Sequence, residues 1–194
     1  MSGPADILWS KGNFTEQRVE REAIYDGRML HVRRDTVRLP DGATATREHV
    51  EHPGAVAIIG LLDSGELVFE RQYRYPLERE FYELPAGKID PGELPLDSAK
   101  RELLEETGYA AHEWHHLGVI HPVISYSNER IEIFLARGLE FRGSKLDDEE
   151  FLEVFPLSLE RAVQWIREGH ITDAKTISCL FWAEKVLNGS WSTD

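Results

Sequence analysis

The alternation of apolar and polar residues marks out strands before anything else. Residues 18–25, 30–39 and 43–51 read as short strands separated by the turn pairs Asp26-Gly27 and Asp41-Gly42. Leu30, Val32, Thr36 and Val37 break strict alternation, which leaves room for a bulge or register shift in the second of these strands. Residues 55–62, AVAIIGLL, form an unbroken apolar run, the pattern of a strand buried on both faces. Asp63-Ser64-Gly65 turns the chain and residues 66–74 return it. Further strands are expected at 81–85, 113–121, 130–136 and 153–156. The period then changes from 2 to 3.6 in three places. Residues 96–107 lack Gly and Pro and are rich in Ala, Leu, Lys, Arg and Glu, with Pro95 suited to a first turn and Gly108 to a C-terminal cap. Helices are also expected at 158–168 and 173–188, where Ile177, Leu180, Phe181 and Leu187 recur at helical spacing as a core face. Strands interleaved with a few helices predict a mixed-sheet α/β or α+β sandwich.

The helix at 96–107 carries an unusual charge pattern. The loop and helix together hold six carboxylates, Asp90, Glu93, Asp97, Glu102, Glu105 and Glu106. Glu102, Glu105 and Glu106 stand at i, i+3 and i+4, so they share one helical face. Like charges there repel, and the C-terminal end of the helix dipole also disfavours them. Arg101 can pair with Glu105 but cannot alone neutralise three glutamates. A solvated acidic face is one reading of this pattern. The other is a site for a hard divalent cation such as Mg²⁺ or Mn²⁺.

Composition narrows the alternatives. A chain of 194 residues is long enough for one domain with a sizeable core. The formal net charge of −13 argues against a nucleic-acid backbone as partner, because no basic surplus exists to displace counterions. The single cysteine, Cys179, allows no intrachain disulfide, and its apolar setting reads as a buried thiol rather than a nucleophile. Residues 1–15 are a polar lead-in without a signal-type apolar run, and no stretch is long enough to span a membrane as a helix, so a cytoplasmic location is expected. The eight histidines show no metal-ligand spacing.

The spacing around the acidic helix resembles the signature box of the Nudix hydrolases: Gly, five residues, Glu, seven residues, then Arg-Glu-hydrophobic-X-Glu-Glu-X-Gly-hydrophobic. Those positions are filled here by Gly87, Glu93, Arg101, Glu102, Leu103, Glu105, Glu106, Gly108 and Tyr109, the last aromatic where an aliphatic residue is commoner. Looser likeness extends from about Arg47 onward to the ADP-ribose pyrophosphatase branch of that family. It rests on the run from Glu70 to Arg74, on Glu83-Leu84-Pro85-Ala86-Gly87, on Ser127-Asn128-Glu129 and on the run from Gly169 to Asp173. One departure stands out. Where that branch carries a proline before its Gly-aromatic pair, this chain has Ile124, and the nearest proline is Pro122.

The resemblance implies a Nudix-type α/β/α sandwich with a mixed sheet, residues 51–194, preceded by an N-terminal antiparallel β subdomain, residues 1–50, that serves dimerisation and substrate contacts. It implies metal-dependent hydrolysis of the pyrophosphate bond of ADP-ribose, or a related ADP-sugar, to AMP and a sugar phosphate. Metal ions would offset the charge that shields a pyrophosphate from attack and would lower the pKa of a bound water. Glu102 and Glu106 are the first expected metal ligands, with Glu105 as a further ligand or base and the carbonyl of Ala86 added by the resemblance. Glu93 stands between metal shell and loop support. Gly87, Arg101 and Gly108 would support the box. A general base outside it is expected in the acidic run 147–150, with Glu150 preferred and Asp148 and Glu149 behind it. Arg47 and Arg74 correspond to positions that bind substrate phosphates or base, Glu129 to one on the ribose side, and Tyr25 is a candidate for stacking on adenine. A homodimer is expected. Two alternatives stay open: another nucleoside diphosphate sugar or dinucleotide as substrate, and a sensor that binds a nucleotide sugar without turnover.

Overall fold

A computed structural model describes residues 14–143 and 151–193. The chain divides into two compact units, one running through Glu51 and including Ser125–Ser127, the other His52–Ile124 together with the residues from Asn128 on.

The first unit is an antiparallel meander of β1 (Gln17–Asp26), β2 (His31–Arg38) and β3 (Thr44–Glu51), in that order. The irregularity expected in β2 falls in β1 instead. The β2–β3 register is unbroken, whereas Val19 and Ile24 are extra residues in β1 opposite consecutive β2 partners. Every residue of β1 is exposed, Val19, Ile24 and Tyr25 among them. Cross-strand ion pairs link the strands alongside the backbone ladders. Arg21 grips the buried Asp35 with two bonds of 2.8 Å, Arg33 holds Glu51 at 2.9 Å, and Arg34 holds Glu48 at 2.9 Å. Ser127 and Tyr126 join the end of β3, where Val50 N–H donates to Tyr126 O at 2.8 Å.

The second unit is layered α/β/α. A mixed sheet runs in the order β7 (Ala86–Lys88), β4 (Ala55–Gly60), β9 (Ile131–Phe141), β8 (Tyr109–Ile120). The β4–β9 pair is parallel and the outer pairs are antiparallel. A second, antiparallel sheet is ordered β10 (Leu152–Leu157), β5 (Leu67–Arg74), β6 (Arg79–Glu83), with a 3-10 turn at Tyr75–Leu77. The apolar run of β4 is explained by its two faces. Ala55, Ala57 and Ile59 pack with Ile131, Ile133, Leu135 and the helices α2 (Leu159–Glu168) and α3 (Ala174–Leu187), contributing Ala162, Cys179, Leu180 and Ala183. Val56 and Ile58 point the other way, to Phe134, Ala136 and, on α1 (Pro95–Thr107), Ala99 and Leu103. Helix α1 starts on Pro95 without a side-chain cap and ends at Gly108, whose φ of 76° is left-handed backbone that glycine adopts without a Cβ penalty. Among the described residues no helix is long and apolar enough to cross a membrane.

Candidate active site

Two of the glutamates on α1 press against two successive residues of β7. Ala86 N–H donates to Glu106 Oε2 at 3.0 Å, and a Cβ built on Gly87 would collide with the Glu102 carboxylate. Glycine at 87 is therefore what lets the strand lie against the helix. The strand's orientation follows from its register. Ile58 N–H donates to Pro85 O at 2.9 Å, which makes the neighbouring Ala57–Ala86 pair the non-bonded kind. Both the N–H and the carbonyl of Ala86 thus face away from β4, toward the side on which Glu106 stands.

Arg101 organises the remaining carboxylates. Its guanidinium donates to both oxygens of Glu93 at 3.2 and 2.9 Å, to Glu102 Oε1 at 2.7 Å, to Glu105 Oε2 at 3.2 Å and to Lys88 O at 3.1 Å. These partners, with the bond to Glu93 foremost, hold its pKa above the ordinary arginine value despite partial burial. Glu93 also accepts from Ser98 Oγ at 2.6 Å, and the Arg101 and Ser98 bonds push its carboxyl down to about 2. Both Glu93 oxygens are thus occupied by protein donors. Glu102 and Glu105 both accept from Arg101 Nη1, and among the described residues no three acidic, histidine or cysteine side chains form a group that could hold a metal ion. The donor set is nonetheless all oxygen, with two carboxylates one turn apart beside a strand carbonyl, and this chemistry suits a hard divalent cation.

A second ionic cluster stands beside the box. Arg74 on β5 clasps Glu83 of β6 with bonds of 2.7 and 2.8 Å, and the fields of Glu70 and Glu106 also act on it, raising its pKa. Glu83 also meets Lys175, in the first turn of α3, at 3.1 Å. Burial opposes ionisation of Glu83, but Arg74 and Lys175 outweigh it and its pKa is lowered. Arg74 and Glu83 form part of an open cleft of about 280 Å³, together with Leu77, Phe81, Thr172, Asp173 and Ala174. Of these contacts the Lys175–Glu83 pair is the one buried on both sides, and breaking a buried pair costs about 3–5 kcal/mol, against roughly 0–1 kcal/mol for an exposed surface pair. Sequence reading singled out Arg74 but gave no role to Glu83, Asp173 or Lys175. Asp173 had a local signal, a carboxylate before a helix, and it caps α3 by accepting from Thr176 N–H at 2.8 Å. Lys175, in the first turn of the same helix, had none.

The other expected site residues are dispersed. Arg47, on β3, donates to Glu16 at 3.0 and 2.6 Å. Tyr25, on β1, is exposed and lays its ring over Gly27. Glu129 lies 4.0 Å from His52 Nε2, next to Asn128, which bonds the His52 backbone at 2.7 and 3.2 Å. Asp148, Glu149 and Glu150 fall outside the described residues. Cys179 is buried, and burial pushes its thiol up to about 12, far from nucleophilic range at neutral pH.

A glutamate-bearing helix seated on a glycine strand end, within an α/β/α sandwich, is the arrangement that the resemblance to Nudix hydrolases implies. The chain belongs to the Nudix family: the NUDIX domain matches residues 51–178, and the nucleoside diphosphate sugar hydrolase N-terminal domain matches residues 16–50. Among its relatives, a methanol dehydrogenase activator of Bacillus methanolicus is 40% identical over 84% of this chain and 90% of its own length. An ADP-ribose pyrophosphatase of Bacillus subtilis (strain 168) is 38% identical over 83% of this chain and 88% of its own length. The crystal structure of an ADP compounds hydrolase superposes with a TM-score of 0.84, covering 93% of this chain and 98% of that one; at 24% identity, this likeness speaks for the fold alone.

Two outcomes follow from this geometry. In Gly87→Ala the new methyl displaces the flexible end of Glu102 rather than backbone. The variant should melt within about 4 °C of wild type while its hydrolytic rate falls about 10²-fold or more; wild-type activity would show that Glu102's position does not matter. For Glu93, a folded-state pKa near 2 against an ordinary 4.5 means its stabilisation is complete above pH 4.5 and is lost as pH falls toward 2. The gap in melting temperature between wild type and Glu93→Gln should be constant above about pH 5 and narrow below it. A gap that widens on acidification contradicts the assignment.

Proposed function

We propose that this Nudix hydrolase cleaves the diphosphate link of ADP-ribose, or a related ADP-sugar, to AMP and a sugar phosphate, with Mg²⁺ or Mn²⁺ as cofactor. The observation that carries the reading is the seating of Glu102 against Gly87 and of Glu106 on Ala86 N–H. Glu102, Glu106, Glu105 and the Ala86 carbonyl would hold the cation, which when bound offsets phosphate charge and lowers the pKa of a ligated water. Glu93, engaged by Arg101 and Ser98, supports the loop rather than the metal. Arg101 orients Glu102 and Glu105, and Gly108 ends the helix just beyond them. Arg74 and Arg47 bind substrate phosphates or base, Glu129 the ribose side and Tyr25 the adenine. Glu150, with Glu149 and Asp148 behind it, is the proposed base. The kinship with an ADP-ribose pyrophosphatase at 38% identity supports the substrate class. The exposed Ile124, in place of the branch's proline, favours as second reading another nucleoside diphosphate sugar or a dinucleotide.

The residues through about 50 are proposed to be the subunit-contacting domain of a homodimer. The support is the exposure of all of β1, with Val19, Ile24 and Tyr25 open to solvent, an apolar surface a partner copy would cover. A monomeric mass by light scattering at micromolar concentration would remove this part of the reading.

The reaction is tested by turnover of ADP-ribose, GDP-mannose, NADH and diadenosine polyphosphates with and without Mg²⁺. AMP release from ADP-ribose that needs the cation and drops by about 10³-fold in Glu106→Gln is the expected result. Turnover confined to another substrate keeps the box and replaces the substrate. Tight ADP-ribose binding without any turnover would mean a sensor.

A further inference from the structure

The first turn of α3 reaches into the site described above from behind. Lys175 Nζ lies 3.1 Å from Glu83 Oε2, 3.1 Å from Asp173 Oδ2 and 3.4 Å from Leu84 O. Its side chain is only 14% exposed, and that of Glu83 4%. The same Glu83 Oε2 accepts from Arg74 Nη2, while Oε1 accepts from Arg74 Nε. Arg74 and Lys175 therefore share one carboxylate, Arg74 on the cleft and Lys175 behind it. Thr176 adds a second anchor, its Oγ1 accepting from Leu84 N–H at 3.1 Å. Both backbone polar groups of Leu84 are thus engaged by α3, two residues before Ala86.

The charge balance shows what Lys175 does. Glu83 is paired across the strands with the fully buried Glu70, and Asp173 lies within reach of the same lysine. Without Lys175, Glu83 Oε2 would lose one of its two fixing donors, and the carboxylate that Arg74 grips would no longer be held in one orientation, so the guanidinium would lose its fixed plane on the cleft. We propose that Lys175 is a positioning residue for Arg74: it fixes the Glu83 carboxylate that sets the plane of the guanidinium, and together with Thr176 it pins the strand end that presents Ala86. The inference rests on the reading of Arg74 as a phosphate-binding residue. Lys175 itself touches no substrate.

A misplaced Arg74 weakens substrate binding more than it slows the chemical step. Lys175→Met is expected to raise KM for ADP-ribose about tenfold and to change kcat less than about threefold, and Lys175→Arg to restore KM. In an Arg74→Lys background Lys175→Met should add nothing further to KM, since the two residues act as one unit. A readout independent of turnover is the hydrogen exchange of the Arg74 Nε–H, observed in protein carrying ¹⁵N-arginine and assigned by its loss in Arg74→Lys. In Lys175→Met it should exchange about tenfold faster than in wild type. If Lys175→Met does not fold, Lys175→Gln, which keeps the length and a donor, is read in the same way. A folded variant whose Arg74 Nε–H exchanges at the wild-type rate overturns the proposal, and so does a KM penalty undiminished in Arg74→Lys. Absence of wild-type turnover on every diphosphate tested sinks the hydrolase reading instead, and the exchange measurement then decides on Lys175 alone.

Discussion

Arg101 is the interaction on which the rest of the site depends. Three glutamates on one helical face near a helix C-terminus repel one another by a few tenths of a kcal/mol per pair, roughly 0.2–0.5 kcal/mol each. Hydrogen bonds to charged groups contribute about 1.5–3 kcal/mol each, so one guanidinium reaching Glu93, Glu102, Glu105 and a backbone carbonyl outweighs that repulsion. The geometry of arginine matters here. A lysine could balance one charge, but only a planar fork can bond four partners in different directions. The loop through Glu93 and the helix from Pro95 are thereby made one rigid piece.

That piece is placed by the sheet. Because β4 is covered on both faces, α1 must pack on the side opposite α2 and α3, and Leu103 and Ala99 can dock only on Val56 and Ile58. The glutamates at 102 and 106 then fall at the edge where β7 pairs with β4. There the alternation of bonded and free backbone positions turns Ala86 outward to meet them. A one-residue slip of β7 would turn the Ala86 carbonyl inward and place a Cβ where Gly87 now stands. Register and the glycine are a single requirement, imposed from two directions.

Much of this was legible in the chain. The continuous run at 55–62 and the capped, charge-rich helix at 96–107 follow from local pattern, and the structure has β4 at Ala55–Gly60 and α1 at Pro95–Thr107. The bulge was misplaced for a physical reason. Val32, Thr36 and Val37 break alternation in β2, but the central strand of a meander is held in register on both sides, so the extra residues were expelled to the edge strand at Val19 and Ile24. The six carboxylates were visible; that Glu93 would be saturated by Arg101 and Ser98 was not, since it depends on how the loop folds back along the helix.

The two arginine clusters show where such reading stops. Arg101 bonds partners within thirteen positions of itself, so its role can be argued from helical spacing and one short loop. Arg74 is oriented by Glu83, nine positions away, but Glu83 is in turn held by Lys175, ninety-two positions further on. No periodicity links those residues, because the connection passes through the docking of α3 on the end of β6. The Lys175–Glu83 pair is the buried part of the Arg74 cluster, at 14% and 4% side-chain exposure, while Arg74 opens onto the cleft. Helix α3, far from the acidic helix in sequence, thereby holds the carboxylate that Arg74 grips at the cleft.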